Sequence, residues 1–266
     1  MPGVTPPGPG AAGALPFTME RGEGPPLLML VGLGGRADFW SAQMDRLSGS
    51  RRCLSFDHRT DADRLPEDPA ALVGQYAADA LAVLDAHGIE RADIIGHSLG
   101  GAIAQHLAIH APGRVHRLIL SATWAGPTEP FLALFALRRA VLEGLGPRAY
   151  LEQGTWLGNP GWWVMENFAA LNHSIAGRLA AFAGVRTECA RMDAVTAHDL
   201  RAHVGQICAP TLVVCGRDDA ITPLPLSAEL ASLIPGARIE VLPTGGHFAP
   251  VTVPDLYARA IGAHLA

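Results

Sequence analysis

The sequence predicts an α/β fold, a doubly wound and mostly parallel sheet with a helical cap inserted above it. Three observations predict it. Apolar runs of strand length alternate with longer stretches of helical period. The pentapeptide Gly96-His97-Ser98-Leu99-Gly100 stands at the junction of one such run with a helix-like stretch. Between Gly126 and Gln206 the alternation stops and only helical patterns remain.

The elements follow in order. Residues 1–16 are rich in Pro, Gly and Ala, contain no Lys or Arg and have no sustained apolar core, so they do not read as a signal peptide and are expected to form a mobile tail. The core is expected over 17–125 and 206–266. Strands are placed at 27–31, 52–56, 92–96, 115–121, 211–216 and 238–242, and helices at 70–88, 99–111, 225–234 and 254–265. The cap, 126–205, reads as short amphipathic helices broken at Gly146-Pro147, Asn159-Pro160-Gly161 and Gly184.

Chemistry concentrates at strand ends. Ala92-Asp93-Ile94-Ile95 leads into the G-x-S-x-G turn, whose small flanking residues let a strained backbone lift the Ser98 hydroxyl clear of the sheet. The helix that follows points its free amides and positive dipole end at the same spot. A serine hydroxyl is a poor nucleophile at neutral pH. It needs a histidine to take its proton and a carboxylate to fix that histidine's tautomer. Two later strand ends supply candidates. Pro210-Thr211-Leu212-Val213-Val214-Cys215 leads into Gly216-Arg217-Asp218-Asp219, and Arg238-Ile239-Glu240-Val241-Leu242 leads into Pro243-Thr244-Gly245-Gly246-His247-Phe248. An open parallel sheet gathers catalytic groups at its carboxyl edge, where these ends lie. An amide beside the nucleophile, that of Leu99, would serve as one oxyanion donor.

These motifs resemble the α/β-hydrolase family over nearly the whole chain, from about Pro25 onward. The order serine, acid, histidine is that of the family. Its acid-turn pattern, Gly-x-x-Asp with Pro four residues later, is met by Gly216, Asp219 and Pro223, and the resemblance therefore implies Asp219 rather than Asp218. The other position used for the acid in some members is empty here: Leu120-Ser121-Ala122-Thr123-Trp124 has no carboxylate before Glu129. The family's second oxyanion amide comes from the loop after an early strand, which implies Leu33 in Val31-Gly32-Leu33-Gly34-Gly35. Most members read His-Gly there. This variant, with the Cys-Gly-Arg-Asp-Asp turn and the Gly-Gly-His-Phe loop, looks like the aminoacrylate hydrolases of pyrimidine degradation and the related 3-oxoadipate enol-lactonases. A second departure is Asp57-His58-Arg59-Thr60, which lacks the glycine of the usual Asp-x-Arg-Gly, and no chemistry is assigned to it.

Composition excludes several classes. With 266 residues, 49% apolar, the chain buries a large core. A net charge of −5 and a pI of about 6.1, without a basic cluster, argue against nucleic acid. Apolar runs such as 27–33 are too short to span a bilayer, so no membrane partner is expected. All twenty basic residues are Arg; without lysine, Schiff-base chemistry, pyridoxal phosphate attachment and a P-loop site are excluded. Gly32, Gly34 and Gly35 lack dinucleotide spacing, so no cofactor is expected. The cysteines, Cys53, Cys189, Cys208 and Cys215, lie far apart without metal spacing and suit core packing in a reduced, cytoplasmic setting.

The remaining candidates are weighed residue by residue. Of eleven histidines only His247 follows a strand in a Gly-Gly-His loop. His97 either lines the pocket or packs beside it. His106 and His110 share a helix face, but Leu107 stands where a zinc-binding H-E-x-x-H needs glutamate, so no metal is expected. Around the cap, Trp124, Trp156, Trp162 and Trp163 either pack the subdomain or line a pocket, with Trp124 best placed. Arg138, Arg139, Arg186 and Arg191 either hold a substrate carboxylate or stand solvated, and Arg138 and Arg139 are taken as candidates. The expected function is acyl transfer on a small-molecule ester, lactone or related bond, with Ser98, Asp219 and His247 as triad and the amides of Leu33 and Leu99 as oxyanion hole. A broad carboxylesterase on neutral esters and a ligand-binding protein without turnover stay open, as does the oligomeric state.

Overall fold

The computed structural model describes residues 16–60 and 65–266. Most of the tail expected at 1–16 lies outside the described residues. The described residues form seven strands: β1 (Thr18–Arg21), β2 (Pro26–Leu30), β3 (Arg52–Phe56), β4 (Ala92–His97), β5 (Val115–Ser121), β6 (Thr211–Gly216) and β7 (Arg238–Leu242). They make one sheet in the order β1-β3-β2-β4-β5-β6-β7. All neighbouring pairs are parallel except β1 with β3. Six strands fall where the apolar runs predict them. β1 is the addition, a half-buried edge strand.

The helices of the core are α1 (Ser41–Leu47), α2 (Pro69–Ala86) and α3 (Leu99–His110), and those of the cap are α4 (Glu129–Gly158), α5 (Gly161–Ala180) and α6 (Val185–Ala197). After the cap come α7 (Leu224–Leu233), the single turn α8 (Ala249–Thr252) and α9 (Pro254–Leu265). Strand side chains alternate between faces. Leu28 and Leu30 of β2, with Leu118 and Leu120 of β5, join α2, α3 and α7 in one apolar cluster. Leu27 and Met29, with Ile119, join α1 and α9 in the other. Both faces are thus covered, which explains why these strands read as continuous apolar runs.

The cap grows out of the end of β5 and returns before β6. Its roots are stitched together: the Leu200 amide donates to the Ala125 carbonyl at 2.7 Å, and the Arg201 guanidinium donates to the carbonyls of Gly126 and Pro127. The three predicted breaks appear as a kink at Gly146, where φ is +85°, as the gap between α4 and α5, and as Gly184 at the start of α6. The strand order reverses direction between β2 and β4. A crevice opens at the carboxyl ends of strands at such a switch point, and it is the position where open α/β sheets bind ligands.

Candidate active site

The turn after β4 is built by close approach. Ser98 has φ of 55° and ψ of −119°, one of two non-glycine residues with positive φ among the described residues. A side chain at Gly96 would overlap the Gly100 carbonyl, and one at Gly100 would overlap the Leu30 and Val31 carbonyls. Only glycines let helix α3 sit this tightly on β2 and β4. The strained turn is pinned by four bonds: the Ser98 amide to the Ser121 carbonyl at 2.9 Å, and the Ser98 carbonyl accepting from the Gly101 amide at 2.8 Å, the Ala102 amide at 3.3 Å and the Thr123 hydroxyl at 2.9 Å. Ser98 keeps 8% exposure, at the floor of a cavity.

Across that floor, Asp219 is buried and both carboxylate oxygens are fully used. Oδ1 accepts from the amides of Ile221 and Thr222 at 2.8 and 2.9 Å; Oδ2 accepts from the Thr222 hydroxyl at 2.8 Å and meets His247 Nδ1 at 2.9 Å. Nδ1 donating to the carboxylate leaves the lone pair on His247 Nε2. His247 lines the cavity with Ser98. Asp218 does a different job. Its oxygens accept from the Gly246 amide and the Thr244 hydroxyl, each at 2.8 Å, and so hold the backbone of the loop that carries His247. From the cap, the Gly158 carbonyl accepts from the Phe248 amide at 3.0 Å.

Facing the turn, Gly32-Leu33-Gly34-Gly35 closes on itself through a Gly35 amide to Gly32 carbonyl bond of 3.0 Å. Leu33 lines the cavity, and Leu99 opens α3, where first-turn amides have no partner within the helix. His97 is buried beside His247, with ring centroids 4.8 Å apart, and stacks on Phe39. Burial first, and the neighbouring His247 second, hold His97 well below the ordinary histidine range, so it stays neutral. Its Nδ1 lies 3.2 Å from the Ser121 hydroxyl.

The cavity measures about 670 Å³ and is roofed by the cap. Arg138 and Arg191 line it; Arg139 and Arg186 do not. Arg139 instead pairs with Asp193 and Glu143. Arg191 is buried and committed, its guanidinium reaching Glu188, the Tyr76 hydroxyl and the carbonyls of Leu33 and Arg59 at 3.3–3.4 Å. Trp124 also lies outside the cavity: fully buried, it packs on Phe131 and His198. Its place at a strand end pointed to the pocket, but its ring supports the root of the cap. Of the other tryptophans, Trp163 lines the cavity. Arg178, Tyr150 and Glu188 also line it without a motif to announce them; only their positions on cap helices would have offered a signal. Arg59 forms an ion pair with Asp79. Cys53, Cys189 and Cys215 are buried and Cys208 is exposed, all four as free thiols.

Comparison with known proteins agrees with this architecture. The profile of the alpha/beta hydrolase fold family matches residues 25–252. Among curated relatives, "Putative carbamate hydrolase RutD" of Azorhizobium caulinodans is 35% identical over 241 residues, covering 89% of each chain. Its namesake in Variovorax paradoxus is 33% identical, covering 90% of this chain and 91% of the relative. Among solved structures, a hydrolase from Pseudomonas aeruginosa superposes with a TM-score of 0.82 at 28% identity, over 94% of this chain and 93% of that one. The enol-lactonase of Burkholderia xenovorans LB400 superposes with a TM-score of 0.83 at 24% identity, over 94% and 95%, a likeness of fold. The chain belongs to the alpha/beta hydrolase fold family and groups within it with the RutD proteins.

Proposed function

We propose that this protein is a serine hydrolase that cleaves an ester, lactone or related bond of a small carboxylic acid through an acyl-enzyme. The observation that carries the reading is the 2.9 Å contact of Asp219 Oδ2 with His247 Nδ1, on a cavity wall shared with the strained Ser98. Ser98 Oγ forms a bond to the substrate carbonyl carbon as His247 Nε2 takes its proton. The carbonyl oxygen becomes negative and is met by the amides of Leu33 and Leu99, donors that need no reorganisation. Collapse breaks the bond to the leaving oxygen or nitrogen, which receives the proton from His247. Water then adds to the acyl carbon, giving a proton to His247, and the returning proton restores the Ser98 hydroxyl as the acid leaves. Asp219, held by three donors besides His247, keeps that ring in one tautomer and orientation throughout.

The cavity, about 670 Å³, lies in the range that encloses a drug-sized ligand. The test is steady-state hydrolysis of 3-oxoadipate enol-lactone against a neutral short-chain p-nitrophenyl ester, with Ser98→Ala as blank. The expected result is Ser98-dependent turnover with the anionic lactone favoured at least about a hundredfold in kcat/KM, roughly 2.7 kcal/mol. A faster neutral ester would move the reading to a broad carboxylesterase. Rates equal to the Ser98→Ala blank on every substrate would leave a ligand-binding protein without turnover.

A further inference from the structure

Helix α5 has two unlike sides. Toward the molecule, Val164 and Ile175 are buried, and Trp163, Leu171 and Arg178 line the cavity. On the opposite side Trp162, Met165, Ala169, Asn172, Ala176 and Leu179 are all exposed, Met165 by 74%. These six are separated in turn by three, four, three, four and three residues. A spacing near 3.5 residues keeps side chains on one stripe of a helix and is the pattern of a seam against a second helix. Phe168 and, from α4, Trp156 widen the stripe along one edge, both exposed and with ring centroids 6.4 Å apart.

A contiguous apolar stripe facing water marks a place where a partner docks. This stripe is complementary to itself. Laid antiparallel about a two-fold axis, it sets Trp162 against Leu179 of the other copy, Met165 against Ala176 of the other copy, and Ala169 against Asn172 of the other copy. The long Met165 thus meets a small residue, and Ala169 leaves room near the centre for an amide. One polar position inside an apolar seam fixes the register, because a slip would bury the amide against carbon. The charges agree with the same register. Glu166 and His173 each follow a seam residue by one place, both are exposed, and among the described residues neither side chain has a hydrogen-bond or ion-pair partner. In the antiparallel register Glu166 lies between the same two layers as His173 of the other copy, so the imidazole donates to the carboxylate and the two-fold axis repeats the contact. A membrane surface fits less well. Helices that lie on anionic lipid carry rows of Lys and Arg, whereas α5 has one arginine, Arg178, which lines the cavity.

We infer that α5 pairs antiparallel with α5 of a second copy of this chain, giving a homodimer joined cap to cap. The seam runs from Trp162 to Leu179, about 26 Å of helix. Because the inner side of the same helix roofs the cavity, the pairing braces that roof from behind. It does not depend on the chemistry at Ser98.

The experiment is sedimentation equilibrium of the full chain over a range of concentrations. A monomer–dimer equilibrium is expected, with a dissociation constant on the order of micromolar, as suits a single pair of helices of this length. Met165→Glu, which puts a carboxylate into the seam of each copy, is expected to weaken association at least about thirtyfold. Glu166→Arg and His173→Glu are each expected to weaken it about fivefold, and the two together, which reverse the pair, to restore it. Ile239→Glu, on the exposed edge strand β7, is expected to leave it unchanged. Far-ultraviolet circular dichroism and a melting curve establish that each variant folds; should Met165→Glu fail, the charge reversal carries the test. A monomer at every concentration would overturn the dimer, and sedimentation of that monomer with phosphatidylglycerol vesicles would give the stripe to a membrane instead. A dimer that survives in a folded Met165→Glu protein, or that is lost in Ile239→Glu, would place the contact elsewhere and overturn the pairing of α5. Failure of the double variant to recover association would overturn the antiparallel register.

Discussion

Two adjacent aspartates after β6 face different partners, and the difference can be measured. Asp219 has both oxygens committed within the sheet edge and touches the His247 ring, whereas Asp218 is exposed and holds the Gly246 amide. Replacing Asp219 by Asn keeps the shape but turns an acceptor toward Nδ1 into a donor or a weaker acceptor, which favours the wrong tautomer. Asp219→Asn is expected to lower kcat about 10⁴-fold with a small change in KM. Asp218→Asn is expected to cost less than about tenfold in kcat and about 1 kcal/mol of stability, from one weakened hydrogen bond at an exposed site. Stopped-flow or steady-state kinetics and a denaturant titration of both variants check this; equal losses in kcat would undo the division of roles. Sequence alone offered both aspartates, and it was the resemblance to the family's acid-turn pattern, with Pro223 four residues on, that implied Asp219. It offered Arg138 and Arg139 equally, because neighbours on a helix differ by about 100° in direction and the packing of α4 decides which one faces in. Trp124 shows the converse failure: a strand-end position suggested the pocket, yet which way an indole turns depends on its packing against Phe131 and against His198, the latter far along the chain.

At the scale of elements, glycine spacing carries the most information. A methyl group at Gly100 would run into the backbone carbonyls of Leu30 and Val31, which cannot swing aside as a side chain could. Gly100→Ala is therefore expected to destabilise the fold by about 3 kcal/mol, lowering the melting temperature by roughly 6–12 °C. Gly262, inside α9, has nothing within 4 Å of the same position and no positive φ. Gly262→Ala is expected to raise stability by about 0.5–1 kcal/mol through helix propensity, a gain of a few degrees. Two melting curves of opposite sign check the pair; a neutral Gly100→Ala would mean that α3 can move off the sheet. The same logic explains what was legible. Predicted helices at 225–234 and 254–265 match α7 and α9 within a residue, because proline marks their starts and the apolar period their lengths. β1 was not legible, since Thr18-Met19-Glu20-Arg21 has no apolar run and exists as a strand through pairing with β3. In the cap the breaks at Gly146, at 159–161 and at Gly184 were legible, but the helices between them, expected to be short, run to 30 residues across the Gly146 kink, 20 and 13, and their packing was not legible.

For the whole molecule, the cap and the core meet at buried imidazoles, and these set how the fold responds to acid. His198, where α6 returns toward β6, lies against the Trp124 ring, 3.4 Å from Gln105 Oε1 on α3, the helix that follows Ser98. Gln105 in turn donates to the Trp124 carbonyl at the cap's other root. Burial pushes His198 down to about 4, opposed by Asp199 and reinforced by His106. Burial likewise holds His106 at about 4, helped by His110, whose ring centroid is 4.2 Å away. Burial also holds His58 and His97 well below their ordinary value. Each of these is neutral in the folded protein at pH values where the unfolded chain already binds a proton. Protons therefore favour unfolding between about 6.5, the unfolded value, and about 4, and stability is fully present above that window and lost as pH falls through it. The expected outcome is a melting temperature nearly constant from pH 8 to 7 and falling steadily from pH 6.5 to 4. His198→Gln, which removes one such proton site while retaining a polar side chain beside Gln105, is expected to shallow the fall. A melting temperature independent of pH down to 4, or a His198→Gln curve parallel to that of the parent, would show that protonation at the junction of cap and core is tolerated by the folded state.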